Sequence, residues 1–370
     1  MGFWSKTTLI VMISALYIAW RGRQVFVKAC YKKIYWFCCL AWLAAILFIL
    51  SVKWGADIPG RVLTWVGSYS MAAFFYAFLI VLLLDIIHKT NSKLDFIPPA
   101  IKATPSQIVV GVILILLGIL GYGTWNAWHP VVRSYEINIS KEVAGSKDLH
   151  AVLVSDLHLG DIVDRQRLSS IVDLTNRQNP DLVILAGDVV DEGNLKPFKE
   201  QRMDEILMQL KPKLGTFMIM GNHDVKTGEE EALLRAAGIT ILRDQYLLVD
   251  NRFYLIGREN RDLQPPWTKK WLSTVMEGIN HELPIILIDH NPYDFFEPVM
   301  EGVDLQLSGH THQGQIFPNN LITACTYEVD WGYLQKNSLQ VVVSSGIGTT
   351  GPPLRVGTTP ELVDLMIHFK

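Results

Sequence analysis

Seven side chains able to bind a metal ion follow one another along the last two thirds of the chain. They lie in the runs Asp156-Leu157-His158, Gly187-Asp188, Gly221-Asn222-His223-Asp224, Asp289-His290 and Gly309-His310-Thr311-His312. The candidate ligands are Asp156, His158, Asp188, Asn222, His290, His310 and His312. Carboxylate, amide and imidazole donors without a thiolate suit hard-to-borderline divalent ions such as Mn, Fe or Zn. Seven donors are too many for one ion but suit two ions sharing a carboxylate, an arrangement fit for hydrolysis of a phosphate ester. Two ions about 3.5–4 Å apart lower the pKa of a shared water towards neutrality, so that hydroxide attacks phosphorus in line.

Taken alone, Asp156-x-His158 is ordinary surface polarity and a Gly-Asp pair is a turn. Gly-Asn-His-Asp is more unusual. Gly-His-Thr-His is stronger still, because alternate residues of an extended segment point to one side. Position joins the fragments. Short β-branched runs read as strands at 133–139, 150–154, 182–185, 217–220, 239–242, 247–249, 253–256, 284–288, 305–307, 340–343 and 362–368, and nearly every ligand run follows one of them. Helical segments are expected at 165–178, 199–210, 229–237 and 268–278. Apolar strands alternating with helices imply an α/β layered architecture. Side chains just beyond the carboxyl ends of such strands gather along one edge. The glycines before Asp188, Asn222 and His310 permit tight bends and close approach.

In this order the motifs resemble those of the calcineurin-like metallophosphoesterases, from about Leu149 to the end of the chain. The run from Gly346 to Arg355, with Pro360-Glu361, is similar to the tail of a bacterial branch that includes membrane-anchored members. The resemblance implies a four-layer αββα sandwich. It implies that Asp156, His158 and His312 bind one ion, that Asn222, His290 and His310 bind the other, and that Asp188 bridges. His223 adjoins a ligand without being needed as one, so it is the expected general acid for the leaving group. Asp224 is expected to orient its imidazole.

The first third of the chain has a different character. Four apolar stretches, at 3–20, 34–52, 62–87 and 107–127, approach or exceed the roughly 20 residues that span a bilayer. The expected organisation is a four-helix membrane anchor over 1–128, a linker and first strand over 129–148, and the metallophosphoesterase domain over 149–370. Arg21, Arg23, Lys28, Lys32 and Lys33 load the first loop and Lys89, Lys93 and Lys102 the third, against Lys53 and Arg61 in the second. The first and third loops are therefore expected in the cytoplasm, and the catalytic domain outside it. Asp85 and His88, near the end of the third stretch, fit a snorkelling or solvated position rather than a proton relay. No transport pathway is indicated.

A net charge of −3 argues neither for nor against nucleic acid, but the lack of a long basic run with interleaved aromatics argues against it as a partner. Cys325 is the lone thiol of the soluble part, so no disulfide staples it. For substrate contact, Arg258 and Arg261 are candidates for a bidentate grip on phosphate, although a solvated surface position is the expected one for such arginines. Trp267, Trp271, Tyr327, Trp331 and Tyr333 would suit an aromatic rim facing a lipid-borne substrate. The expected partners are thus a phosphorylated substrate and the membrane. A non-catalytic scaffold of the same fold is the competing reading.

Overall fold

The structure, a computed structural model, describes residues 13–18, 20–21, 60–98, 104–145, 148–191, 195–224, 228–260 and 269–370. Tertiary contacts divide the chain into two units, Met1–Trp125 with Gly351–Pro353, and Asn126–Thr350 with Leu354–Lys370.

Two helices, Gly60–Leu94 and Pro105–Ala127, contain stretches long and apolar enough to cross a membrane. They contain the third and fourth predicted spans. The first two predicted spans lie outside the described residues, except that 13–18 and 20–21 are helical. Within the first unit the Asp85 carboxylate is met by Arg21 and Tyr17. An ion pair with a second helical segment thus replaces the expected snorkelling or solvated carboxylate, as suits a charge on an apolar helix.

The second unit holds two six-stranded sheets. The first has the order β1 (Val131–Ile139), β12 (Glu361–Phe369), β2 (Asp148–Val154), β3 (Leu182–Leu185), β4 (Thr216–Met218), β5 (Ile239–Ile241). The second runs β10 (Gly332–Lys336), β11 (Leu339–Val343), β9 (Leu305–Ser308), β8 (Ile285–Ile288), β7 (Phe253–Gly257), β6 (Gln245–Val249). Strands β2 to β5 are mutually parallel, as are β7, β8, β9 and β11. The sequences Leu-Val-Ile-Leu of β3 and Ile-Ile-Leu-Ile of β8 are buried throughout. Continuous apolar runs of this kind are what parallel strands covered on both faces require.

Between the sheets Leu153, Ile184 and Val363 pack with Leu255, Ile286 and Leu307 in one core. On the far side of the second sheet Ile256, Leu287 and Val341 pack with Leu272, Val275 and Phe295. The fold is therefore mixed α/β with two sheets face to face. The strand expected before the domain is β1, an edge strand lying parallel to β12.

Four elements differ from expectation. The helix expected at 199–210 is two short ones, Lys196–Glu200 and Met203–Leu207, separated by Arg202 at φ 50°. The helix expected at 268–278 shortens to Leu272–Val275. Strand β10 and helix Asn319–Thr326 were not foreseen.

Candidate metal centre

The loops leaving β2, β3, β4, β8 and β9 meet, and each delivers one of the ligand runs. Asp156, His158, Asp188, His310 and His312 all have positive φ, between 49° and 73°. Left-handed backbone at a non-glycine residue costs about 1–3 kcal/mol, and such strain clusters where a site imposes it. Here it falls on five of the seven candidate ligands.

The donors form two groups. In one, His158 Nε2 lies 3.0 Å from His312 Nε2, which is 3.4 Å from Asp156 Oδ1. In the other, Asn222 Oδ1 lies 2.7 Å from His310 Nδ1 and 3.2 Å from His290 Nε2. Asp188 stands between them, its Oδ2 3.2 Å from His290 Nε2 and 3.8 Å from His158 Nε2. The groups Asp156–His158–His312 and Asp188–His290–His310 each converge as a metal-binding cluster would. The donor set fits a pair of divalent ions. Imidazole nitrogens face carboxylates in a buried space, and His290 Nδ1 is held by Ala186 O at 2.7 Å, which turns Nε2 inward as ligating histidines require.

Close approach of the loops depends on glycine. A Cβ on Gly221 would meet Asp188 Oδ1 at 2.1 Å, and one on Gly187, at φ 93°, would meet His290 Nδ1 at 2.5 Å.

The role expected of Asp224 is corrected. Its Oδ1 accepts from the backbone N–H groups of Val189 and Val190, and its Oδ2 from those of Asp188 and Gly221. Those four bonds fill the acceptor capacity of a carboxylate. Asp224 therefore ties the Asp188 loop to the Asn222 loop and does not orient the His223 ring. The backbone N–H of His223 donates to Asp188 Oδ1 at 2.7 Å, and the His223 ring stands edge-on to His158 with centroids 5.0 Å apart. Asp224→Asn, which loses one acceptor oxygen, is expected to weaken Mn binding about 10–100-fold, read by calorimetry on the purified protein.

Arg258 is also corrected. It is 2% exposed, so it does not lie on the solvated surface. Its guanidinium lies 3.3 Å from Asp244 and 3.5 Å from Glu297, and donates to Lys270 O at 2.6 Å. Arg261 and Trp267 lie outside the described residues. Trp331 is tied inward, its indole donating to Glu361 with Arg133 over its ring. Tyr327 is the member of the expected aromatic rim that reaches the site, with its ring centroid 6.3 Å from that of His310.

Two residues were missed. Asp191 stands 3.4 Å from His158 Nδ1, and its place three residues after Asp188 was the available signal. Arg355, fully buried, donates to the carbonyls of His312, Gly346 and Gly348 and so holds the tail against the last ligand loop. Asn126 in turn donates to the carbonyls of Arg355 and Thr358.

The electrostatics follow from burial of opposite charges. Burial raises the Asp188 carboxyl, but the charge and hydrogen bond of His290 outweigh it and hold it well below the usual carboxylate range. Burial lowers His290, yet Asp188 and Asp156 raise it to about 10. His310 is pushed down to about 3 by burial and by the charge of His290. Asp224 rises to about 6 through burial and the nearby charge of Asp188.

Without metal, the neighbouring carboxylates thus keep His290 protonated at neutral pH, and an ion must displace that proton. Metal binding at neutral pH is expected to release protons held by His290 and His158, both raised by neighbouring carboxylates, with affinity rising as pH rises. Calorimetry in two buffers of different ionisation enthalpy reads this directly. A binding enthalpy independent of the buffer would contradict it.

Residues 149–314 match the family model of the calcineurin-like phosphoesterases. A transmembrane protein with metallophosphoesterase domain from Danio rerio is 32% identical over 271 residues, 69% of this chain and 61% of that relative. The chain thus spans less than two thirds of that protein's length. An uncharacterized metallophosphoesterase from Aquifex aeolicus is 30% identical over 264 residues, 70% of this chain and 98% of that protein. A solved dimetal phosphatase from Danio rerio aligns with 60% of this chain and 99% of its own, at 15% identity and a TM-score of 0.38. The chain belongs to the calcineurin-like metallophosphoesterases, a family of metal-dependent phosphoester hydrolases.

Proposed function

We propose that this protein is a membrane-anchored phosphoesterase that uses two divalent ions to cleave a phosphodiester, phosphomonoester or pyrophosphate at the membrane, including lipid head groups. The observation that carries the reading is the convergence of seven oxygen and nitrogen donors from five separate loops, three on each side of Asp188. Asp156, His158 and His312 would hold one ion, Asn222, His290 and His310 the other, and Asp188 both. Bound there, Mn, Fe or Zn supplies Lewis acidity, lowering the pKa of a water and neutralising phosphate oxygens. His223 holds a proton on its imidazole and delivers it to the departing oxygen. Asp224 keeps the Asp188 and Asn222 loops in register through its four backbone hydrogen bonds.

Four membrane helices, with the lysine- and arginine-rich loops in the cytoplasm, would put the catalytic domain on the opposite side. Reaction of a Lys141→Cys variant with an impermeant thiol reagent in intact cells supports that facing. Protection until lysis overturns it.

A non-catalytic scaffold has no use for seven converging donors or for strained backbone at five of them. Assay of the purified full-length protein on bis-p-nitrophenyl phosphate separates the two readings. Hydrolysis with Mn, Fe or Zn that stops on chelation supports the enzyme. Inactivity with all three supports the scaffold.

A further inference from the structure

Residues 313–327, which follow the last candidate ligand, carry no charged side chain. Their helix, Asn319–Thr326, buries none of its residues. Leu321 is 56% exposed, Ile322 63% and the preceding Phe317 46%. A helix of a soluble domain ordinarily turns its apolar stripe to the core. This one turns its stripe outwards.

Both ends of the segment reach the metal centre. At the start, the turn His312–Gly314 contains a candidate ligand, and the Gln315 side chain exchanges two hydrogen bonds of 2.9 Å with the Thr350 backbone. At the end, Tyr327 stacks on Tyr293 with centroids 4.9 Å apart, and the Tyr293 ring lies 5.9 Å from that of His310. Asp330 closes the loop, accepting from Thr311 through its carbonyl and from Thr323 through its carboxylate. The apolar surface is therefore held firmly beside the site.

We infer that the helix Asn319–Thr326, with Phe317 and the Tyr293–Tyr327 pair, binds the acyl part of a lipid phosphate ester whose phosphate is presented to the metal centre. The inference rests on the phosphoesterase reading above and specifies its substrate class. An uncharged apolar strip offers acyl chains contact and offers a charged peptide nothing to pair with. The same chain carries two helices able to cross a bilayer, so membrane lipid is the apolar ligand at hand.

The test uses the full-length protein in nanodiscs with two esters, soluble bis-p-nitrophenyl phosphate and a p-nitrophenyl phosphodiester of diacylglycerol. The double variant Leu321→Gln/Ile322→Gln is expected to raise KM for the lipid ester about tenfold or more, leaving kcat/KM for the soluble ester unchanged. Equal losses on both esters, or none on either, would overturn the inference. A second measurement does not depend on activity. With Cys30, Cys38 and Cys39 changed to Ser, a fluorophore on Cys325, which is exposed on the same helix, is expected to be quenched by acyl-chain nitroxide lipids. Absence of quenching points to another occupant, whether a protein or another segment of this chain, and overturns the proposal. Failure of the wild type on the soluble ester would instead sink the underlying phosphoesterase reading.

Discussion

Asp188→Ala is expected to remove nearly all phosphoesterase activity, with kcat/KM falling about a thousandfold or more. The carboxylate stands between both donor groups, 3.2 Å from His290 Nε2 and 3.8 Å from His158 Nε2, while its other oxygen accepts the backbone N–H of His223. Removing it takes a shared anion from both proposed ions and leaves the protonated His290 without its nearest counter-charge. Charge stabilisation by a metal pair is worth several kcal/mol at the transition state, and each 1.36 kcal/mol is a factor of ten in rate. Asp188→Asn keeps the shape and loses the charge, so it separates electrostatics from packing. Activity within tenfold of wild type in Asp188→Asn, at saturating Mn, would show that no ion depends on this carboxylate.

His223→Ala is expected to lower kcat about 10²–10⁴-fold for an ester with an alkoxide leaving group, and far less for p-nitrophenolate. A departing alkoxide is strongly basic and needs a proton as the bond breaks, whereas p-nitrophenolate leaves readily as an anion. Metal content is expected to stay unchanged, because His223 is not among the seven donors. A loss of equal size for both leaving groups would remove the general-acid role and leave the ring a structural one beside His158. Loss of metal would make it a ligand, in line with the convergence of His158, Asp191 and His223.

Much of the catalytic unit was legible because its strands are unmixed. β3 and β8 are continuous apolar runs buried on both faces, and each ends at a ligand motif. The motifs could be read in order because a parallel strand sends its following loop to a common edge. The features missed depend on partners distant in sequence. Asp224 stands next to His223 in the chain, which suggested a hydrogen-bonded pair. Its oxygens are taken by N–H groups of residues 188–190 and 221, and only folding brings the first of these close. Arg258 follows an apolar strand and resembled a surface cation until Asp244 and Glu297 closed on it. Helix Asn319–Thr326 escaped notice because periodicity marks a buried stripe, and this helix buries none. At 196–207 the helical pattern is interrupted at Arg202, whose left-handed backbone carries no signature in residue type.

The most direct test is a crystal structure of the full-length protein grown with Mn, with the ions located by anomalous scattering. Two peaks are expected about 3.5–4 Å apart, one among Asp156, His158 and His312, the other among Asn222, His290 and His310, with Asp188 touching both. A single peak, or peaks away from these side chains, would contradict the proposed centre.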